Sequence, residues 1–118
     1  MHIITLELPY PPSVNHYWGV SGKQRFIGKK GKEFRAAVMD AANEAGVQPM
    51  EGSLAVHIAL FPPDRRKRDI DNVLKSLLDA CEHAGCFEDG DHQVDELHII
   101  RQEVRPGGGC TIVILSLE

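Results

Sequence analysis

In the run Pro62-Pro63-Asp64-Arg65-Arg66-Lys67-Arg68-Asp69-Ile70-Asp71-Asn72-Val73-Leu74-Lys75, four consecutive cations stand directly before two carboxylates two residues apart. Phosphodiester chemistry asks for this combination: cations hold a polyanion, and clustered carboxylates attract a divalent metal that activates water beside a phosphate. A basic run alone is more often a solvated charged face before a helix. The adjoining carboxylates, and a second acidic stretch at Glu88-Asp89-Gly90-Asp91, reverse that preference.

Asp69 and Asp71 fall where a connection ends and a helix starts, so their side chains are not bound to helical spacing and can converge. Two carboxylates about 5 Å apart repel by roughly 3 kcal/mol at an effective dielectric near 20, and a divalent cation removes that penalty. A third carboxylate is expected from the 88–91 loop. The intervening helix spans about 20 Å, so convergence requires the chain to return along a sheet. Lys75, four residues after Asp71, serves either as an i,i+4 ion-pair partner, worth about 0.2 to 0.5 kcal/mol, or as the cation that neutralises charge developing on a phosphate. Asn72 either caps the helix or hydrogen-bonds a carboxylate, capping being the commoner role.

These residues need elements to position them. Ile4, Leu6 and Leu8 alternate with Thr5 and Glu7, predicting a strand over 2–8 that Pro9 to Pro12 terminates. Residues 13 to 30, rich in Gly, Asn and cations with Tyr17, Trp18 and Phe26 among them, read as a long loop or irregular hairpin. Phe34, Val38, Ala41, Ala42 and Ala45 recur at helical spacing before Gly46, predicting a helix over 31–45. Its basic first turn opposes the helix dipole and would welcome an anion. Leu54, Val56, Ile58 and Leu60 predict a strand over 54–61, stopped by Pro62-Pro63. His57 within it reads as a sheet-face histidine. Ile70, Val73, Leu74, Leu77, Leu78 and Cys81 form the stripe of a second helix, with Asp69 or Asp71 as N-cap and Gly85 as its stop. Strands at 94–104 and 110–117 are joined by Pro106-Gly107-Gly108-Gly109, read as a hairpin turn. The order βαβαββ implies one α/β (α+β) domain over 1–118, a mixed sheet with helices packed on it.

At 118 residues the chain holds one core and would gain from pairing with a second copy. The net charge of −4 hides an asymmetry. Eleven of the thirteen Lys and Arg fall in 23–35 and 65–75, and eight of the seventeen acids fall between Asp79 and Glu103, so one basic surface can lie near a carboxylate cluster. Three sparse cysteines fit free thiols in a reducing compartment, and neither a leader nor a membrane-length apolar run is visible, so a cytoplasmic protein without a membrane partner is expected. Cys81, His83, Cys86 and His92 do not suggest zinc: residues 81 and 83 point about 200° apart on a helix. The Gly107–Gly109 run lacks the following Lys-Ser/Thr and helix of a phosphate loop.

Taken together the motifs resemble the RusA family of Holliday-junction resolvases, small dimeric endodeoxyribonucleases often carried by prophages. Leu8-Pro9-Tyr10-Pro11-Pro12-Ser13-Val14-Asn15 looks like the family's Pro-Pro-Ser-x-Asn opening. Pro63 to Lys75 is similar to its Pro-Asp-Arg-Arg-x-Arg-Asp-x-Asp-Asn core, and Ala84-Gly85 with Asp89-Gly90-Asp91-His92-Gln93-Val94 closes the match. The resemblance implies cleavage of four-way junctions by symmetric paired nicks, with Mg²⁺ (Mn²⁺ able to substitute) as cofactor and a homodimer as the working form. It also implies Asp69, Asp71 and Asp91 as metal-binding triad, Lys75 as catalytic lysine, and Asn72 and Asn15 in support. The family usually has adjacent aspartates before x-Gln-Val; here Gly90 separates Asp89 from Asp91, and counting back from Gln93 selects Asp91, with Asp89 the alternative ligand. Arg65, Arg66, Lys67 and Arg68, with Lys23, Arg25, Lys29, Lys30 and Lys32, would contact backbone phosphates. Tyr17, Trp18 or Phe26 would stack on opened bases or pack in the core. The rival readings are a junction-binding, DNA-architectural protein without cleavage and a nuclease for other branched DNA.

Overall fold

Alternation of apolar residues sets a sheet with one buried face. The computed structural model describes residues 2–14, 18–21 and 24–118, the side chains of 18–21 and 24–26 excepted. Its strands are β1 (Ile3–Leu8), β2 (Trp18–Ser21), β3 (Gln24–Ile27), β4 (Leu54–Phe61), β5 (Val94–Arg101) and β6 (Gly109–Ser116). The helices are α1 (Lys29–Glu44) and α2 (Leu74–His83), with 3₁₀ turns at Ile70–Val73 and Asp91–Gln93. β1, β6, β4 and β5 form one mixed sheet in that spatial order, and β2 and β3 pair as a separate antiparallel ribbon. The expected α+β domain is therefore present, with the stretch expected as a loop or hairpin resolved into a two-stranded ribbon.

β4 lies inside the sheet between β6 and β5, with Leu54, Val56, Ile58 and Leu60 buried on the helix side and Ala55 buried on the other. It pairs parallel with β5 and antiparallel with β6. The expected hairpin at Pro106–Gly109 is thereby corrected. β5 and β6 flank β4 on opposite sides, so residues 102–108 cross over the end of β4, turning at Gly107 and Gly108, both at positive φ. β5 also ends at Arg101, earlier than the expected 104. On the open face of the sheet the His57 ring stacks on His98 across the parallel pair, with centroids 4.5 Å apart.

Phe34 and Val38 of α1, Val73, and Leu77, Ala80 and Cys81 of α2 meet Ile4, Leu6, Val56, Ile58, Ile112 and Ile114 in one core. Ile70, expected in the apolar stripe, is 37% exposed, because the segment starts as a 3₁₀ turn whose tighter period rotates it off the buried face. Ser76 is fully buried; its hydroxyl lies 2.6 Å from the Pro12 carbonyl oxygen and 3.0 Å from that of Val73. One shared hydrogen thus ties α2 to the Pro-Pro-Ser segment after β1. Among the described residues no helix is long and apolar enough to cross a membrane.

Candidate active site

β4 ends in Pro62-Pro63, which cannot extend the ladder, and the chain turns into the basic loop. Asp64 organises that loop. Its Oδ1 accepts the Arg66 backbone N–H at 2.9 Å and Arg68 Nη1 at 2.8 Å. The Arg68 guanidinium, then the Arg66 N–H, hold the Asp64 carboxyl down at about 2. Arg68 also lies over the Tyr10 ring at 5.9 Å, and its carbonyl accepts Arg101 Nη2 at 2.5 Å. Of the four expected phosphate contacts, Arg68 is thus turned inward as a loop brace. Arg65, Arg66 and Lys67 are exposed. Lys30 from the first turn of α1 joins Arg66, Lys67 and Arg68 around a cleft of about 450 Å³ that also reaches Asp69 and Asn72. Cations distant in sequence therefore converge beside the first aspartate. Lys29 and Lys32 are exposed on the same turn. Asn15, Tyr17 and Lys23 lie outside the described residues, and Trp18, Arg25 and Phe26 are placed by backbone alone.

The two aspartates are free of structural duty. Asp69 occupies the N-cap position with extended backbone, and its carbonyl accepts the Asn72 N–H at 3.1 Å, but its side chain makes no capping bond. Asp69 and Asp71 are both exposed. Among the described residues no hydrogen bond engages either carboxylate or the Asn72 side chain, so Asp69 stands at the expected N-cap position without a side-chain capping bond. Such oxygens, hard donors beside a basic cleft, suit a cation like Mg²⁺, which takes one or two carboxylates and completes its shell with water and phosphate.

Lys75 points forward along its helix: Nζ lies 2.9 Å from Asp79 Oδ1, and this carboxylate raises the lysine's pKa, with smaller contributions from the charges of Asp91 and Glu82. Spacings of four and three put Lys75, Asp79 and Glu82 on one face of α2. The ladder ends at the acidic loop, where Glu82 Oε1 accepts the Asp91 backbone N–H at 2.8 Å. Asp89 is turned away, paired with His92 Nε2 at 2.9 Å and largely exposed. Of the two alternatives, Asp91 is the one whose charge acts on Lys75. Gly90 makes the turn between them, with φ 145° and ψ 176°, a region essentially confined to glycine. A Cβ there would lie 2.9 Å from Glu82 Oε1.

Residues 9–114 match the family model described as endodeoxyribonuclease RusA. A crossover junction endodeoxyribonuclease of Enterobacteria phage HK97 is 42% identical over 94% of this chain and 92% of its own length. The chain belongs to the RusA family. The Shigella sonnei crossover junction endodeoxyribonuclease RusA is 30% identical over 99% of this chain and 98% of its own, and that of Enterobacteria phage 82 is 29% identical over the same shares.

Within this RusA-family chain the structure brings together Lys75, Asp79, Glu82 and Asp91 at one place and the basic cleft, Asp69 and Asn72 at another. Among the described residues no three carboxylates, imidazoles or thiols stand close enough to hold a metal between them. Asp79 and Glu82 were not anticipated as neighbours of the site. The position of Asp79, four residues after Lys75, carried a readable signal; the reach of Glu82 to the Asp91 amide depends on how the loop after α2 folds back, which no local spacing encodes.

Proposed function

We propose that this chain is a Mg²⁺-dependent, structure-specific endodeoxyribonuclease that resolves four-way DNA junctions by symmetric paired nicks, acting as a homodimer in the bacterial or prophage-encoded recombination and repair of DNA. The observation that carries the reading is the pair of exposed carboxylates, Asp69 and Asp71, without hydrogen bonds among the described residues, directly after a cation-lined cleft and one turn before Lys75. The names of the relatives, crossover junction endodeoxyribonucleases, support the substrate. A substrate with two-fold symmetry calls for two sites related by a two-fold axis, which a homodimer supplies. Free, buried Cys81, Cys86 and Cys110 fit a reducing cytoplasm.

Asp69 and Asp71, with Asp91 from the acidic loop, would hold Mg²⁺ through their carboxylate oxygens, with Mn²⁺ able to replace it; the metal would supply polarisation of the scissile phosphate and a more acidic water. Lys30, Arg66 and Lys67 at the cleft, with exposed Arg65 next to them in the loop, contact the DNA backbone. Lys75, kept protonated by Asp79, supplies positive charge against the phosphate oxygens as negative charge builds there. Asp64 and Arg68 fix the loop that presents these groups.

A labelled mobile four-way junction and a labelled flap, each incubated with wild type and with Asp71→Asn in Mg²⁺ or EDTA, test the reading. Paired symmetric nicks by wild type with Mg²⁺ alone are expected. Tight junction binding by wild type without nicking would leave a binding protein, and equal cleavage of flaps and four-way junctions would leave a nuclease of broader substrate range.

A further inference from the structure

The acidic loop has a buried anchor. Gln93, 9% exposed, closes the 3₁₀ turn that begins at Asp91. Its Oε1 accepts the backbone N–H groups of Asp89 at 2.7 Å and Gly90 at 3.1 Å. Its Nε2 donates to the carbonyl oxygens of Met50 and Gly52, both at 2.9 Å. Both donors and both acceptor positions of the amide are filled, and the partners leave only one orientation of the group. The backbone reinforces the same junction: Met50 N–H donates to Cys86 at 2.9 Å, and Glu88 N–H donates to Met50 at 3.0 Å.

Glu88, Asp89 and Asp91 crowd three like charges into four positions, and their repulsion favours splaying. Gln93 holds the loop through peptide groups, leaving the carboxylates unengaged by the anchor. Among the described residues no hydrogen bond engages the Asp91 carboxylate.

We infer that Gln93 is a positioning residue for metal binding, holding the 88–92 loop against the entry to β4 so that Asp91 is presented beside Lys75. This rests on the reading of Asp91 as a Mg²⁺ ligand. Gln93→Met keeps the volume and removes all four bonds; Gln93→Asn keeps the amide but is too short to span both pairs of partners. Mn²⁺ affinity is measured by electron paramagnetic resonance well below each variant's unfolding temperature, and amide hydrogen exchange is followed at Asp89, Gly90 and Asp91. The expected result is Mn²⁺ binding weaker by about 10- to 100-fold, the usual cost of losing an outer-shell support, together with faster exchange at those three amides. Folded variants with unchanged Mn²⁺ affinity and only a lowered unfolding temperature would overturn the inference and leave Gln93 a fold-stabilising residue. If Gln93→Met does not fold, Gln93→Asn decides by the same two readouts. Wild type that binds no Mn²⁺ would overturn the metal reading itself, and unchanged exchange in the variants would separately overturn the loop-holding role.

Discussion

The basic loop with its helix start and the acidic loop carry the same chemistry on opposite designs. At 64–72 order is local: Asp64 reaches Arg66 and Arg68 within four residues, and Asp69 and Asp71 stand exposed where α2 is about to begin. At 88–93 order is long-range: Gln93 is tied to residues 41 and 43 positions earlier, and the Asp91 amide to Glu82. α2 runs between the two with its charged ladder. A carboxylate that needs nothing from its neighbours can be altered with little effect on the fold. One delivered by a buried amide shares its position with the packing of β4, and damage there reaches fold and site together.

The largest expected effect tests the first half of that contrast. Asp71→Asn should lower Mg²⁺-dependent nicking by about 10³-fold or more, several kcal/mol of transition-state charge stabilisation, while unfolding free energy shifts by no more than about 0.5 kcal/mol, as for exposed positions generally. Junction cleavage and thermal unfolding of the same preparation check both. A large loss of stability would mean that the carboxylate holds the helix start after all. Next comes Lys75→Ala, expected to slow nicking by about 10²-fold, the scale of one lost charge-stabilising donor. The Asp79 pair that it breaks is exposed on the lysine side and of a kind worth only about 0.3 to 0.5 kcal/mol. A rate effect of a few-fold in single-turnover cleavage would reduce Lys75 to a helix ion-pair partner.

The contrast also explains what the sequence could and could not disclose. The strand alternation at Ile4 to Leu8 and Leu54 to Leu60 and the stripe of α1 are periodic, and periodicity is written residue by residue. The cation run and the two aspartates are contiguous, so their chemistry is legible without a fold. The Gly107–Gly109 turn looked like a hairpin because a glycine turn between two strands normally is one. Only the competition among strands for the two hydrogen-bonding edges of β4 decides that β5 and β6 sit on opposite sides of it. Arg68 shows the limit for single residues: it is chemically the same as Arg65, yet Tyr10 and Asp64 turn it inward. Gln93 was visible as part of a motif, but its role depends on carbonyls at Met50 and Gly52 that no spacing rule places beside it.

A smaller effect separates the cations of the basic loop from one another. Arg65→Ala and Lys67→Ala should each weaken junction binding and flatten the dependence of log affinity on log salt by about 0.9, one phosphate contact apiece. Arg68→Ala should leave that slope nearly unchanged and lower the unfolding temperature instead, because its guanidinium is engaged by Asp64 and Tyr10. Binding isotherms across a salt series, with unfolding curves, distinguish the two classes. A full unit lost from the slope in Arg68→Ala would make it a phosphate ligand like its neighbours.

The smallest expected effect concerns pH and the brace itself. The Asp64 carboxyl is lowered from 3.8 to about 2, first by Arg68 and then by the Arg66 N–H. A depressed folded-state pKa means that the unfolded chain takes up the proton first as pH falls. The contribution of Asp64 is therefore fully present above the unfolded value, declines as pH drops below about 4, and is gone once pH falls through about 2. Asp64→Asn should accordingly unfold at a slightly lower temperature than wild type near neutrality, with the two curves converging between about pH 4 and pH 2. A gap that persists unchanged at the lowest pH would mean that Asp64 acts through shape and neutral hydrogen bonding. The loop would then be held by the Arg68–Tyr10 and Arg101–Arg68 contacts, and its order, like that of the acidic loop, would rest on residues distant in sequence.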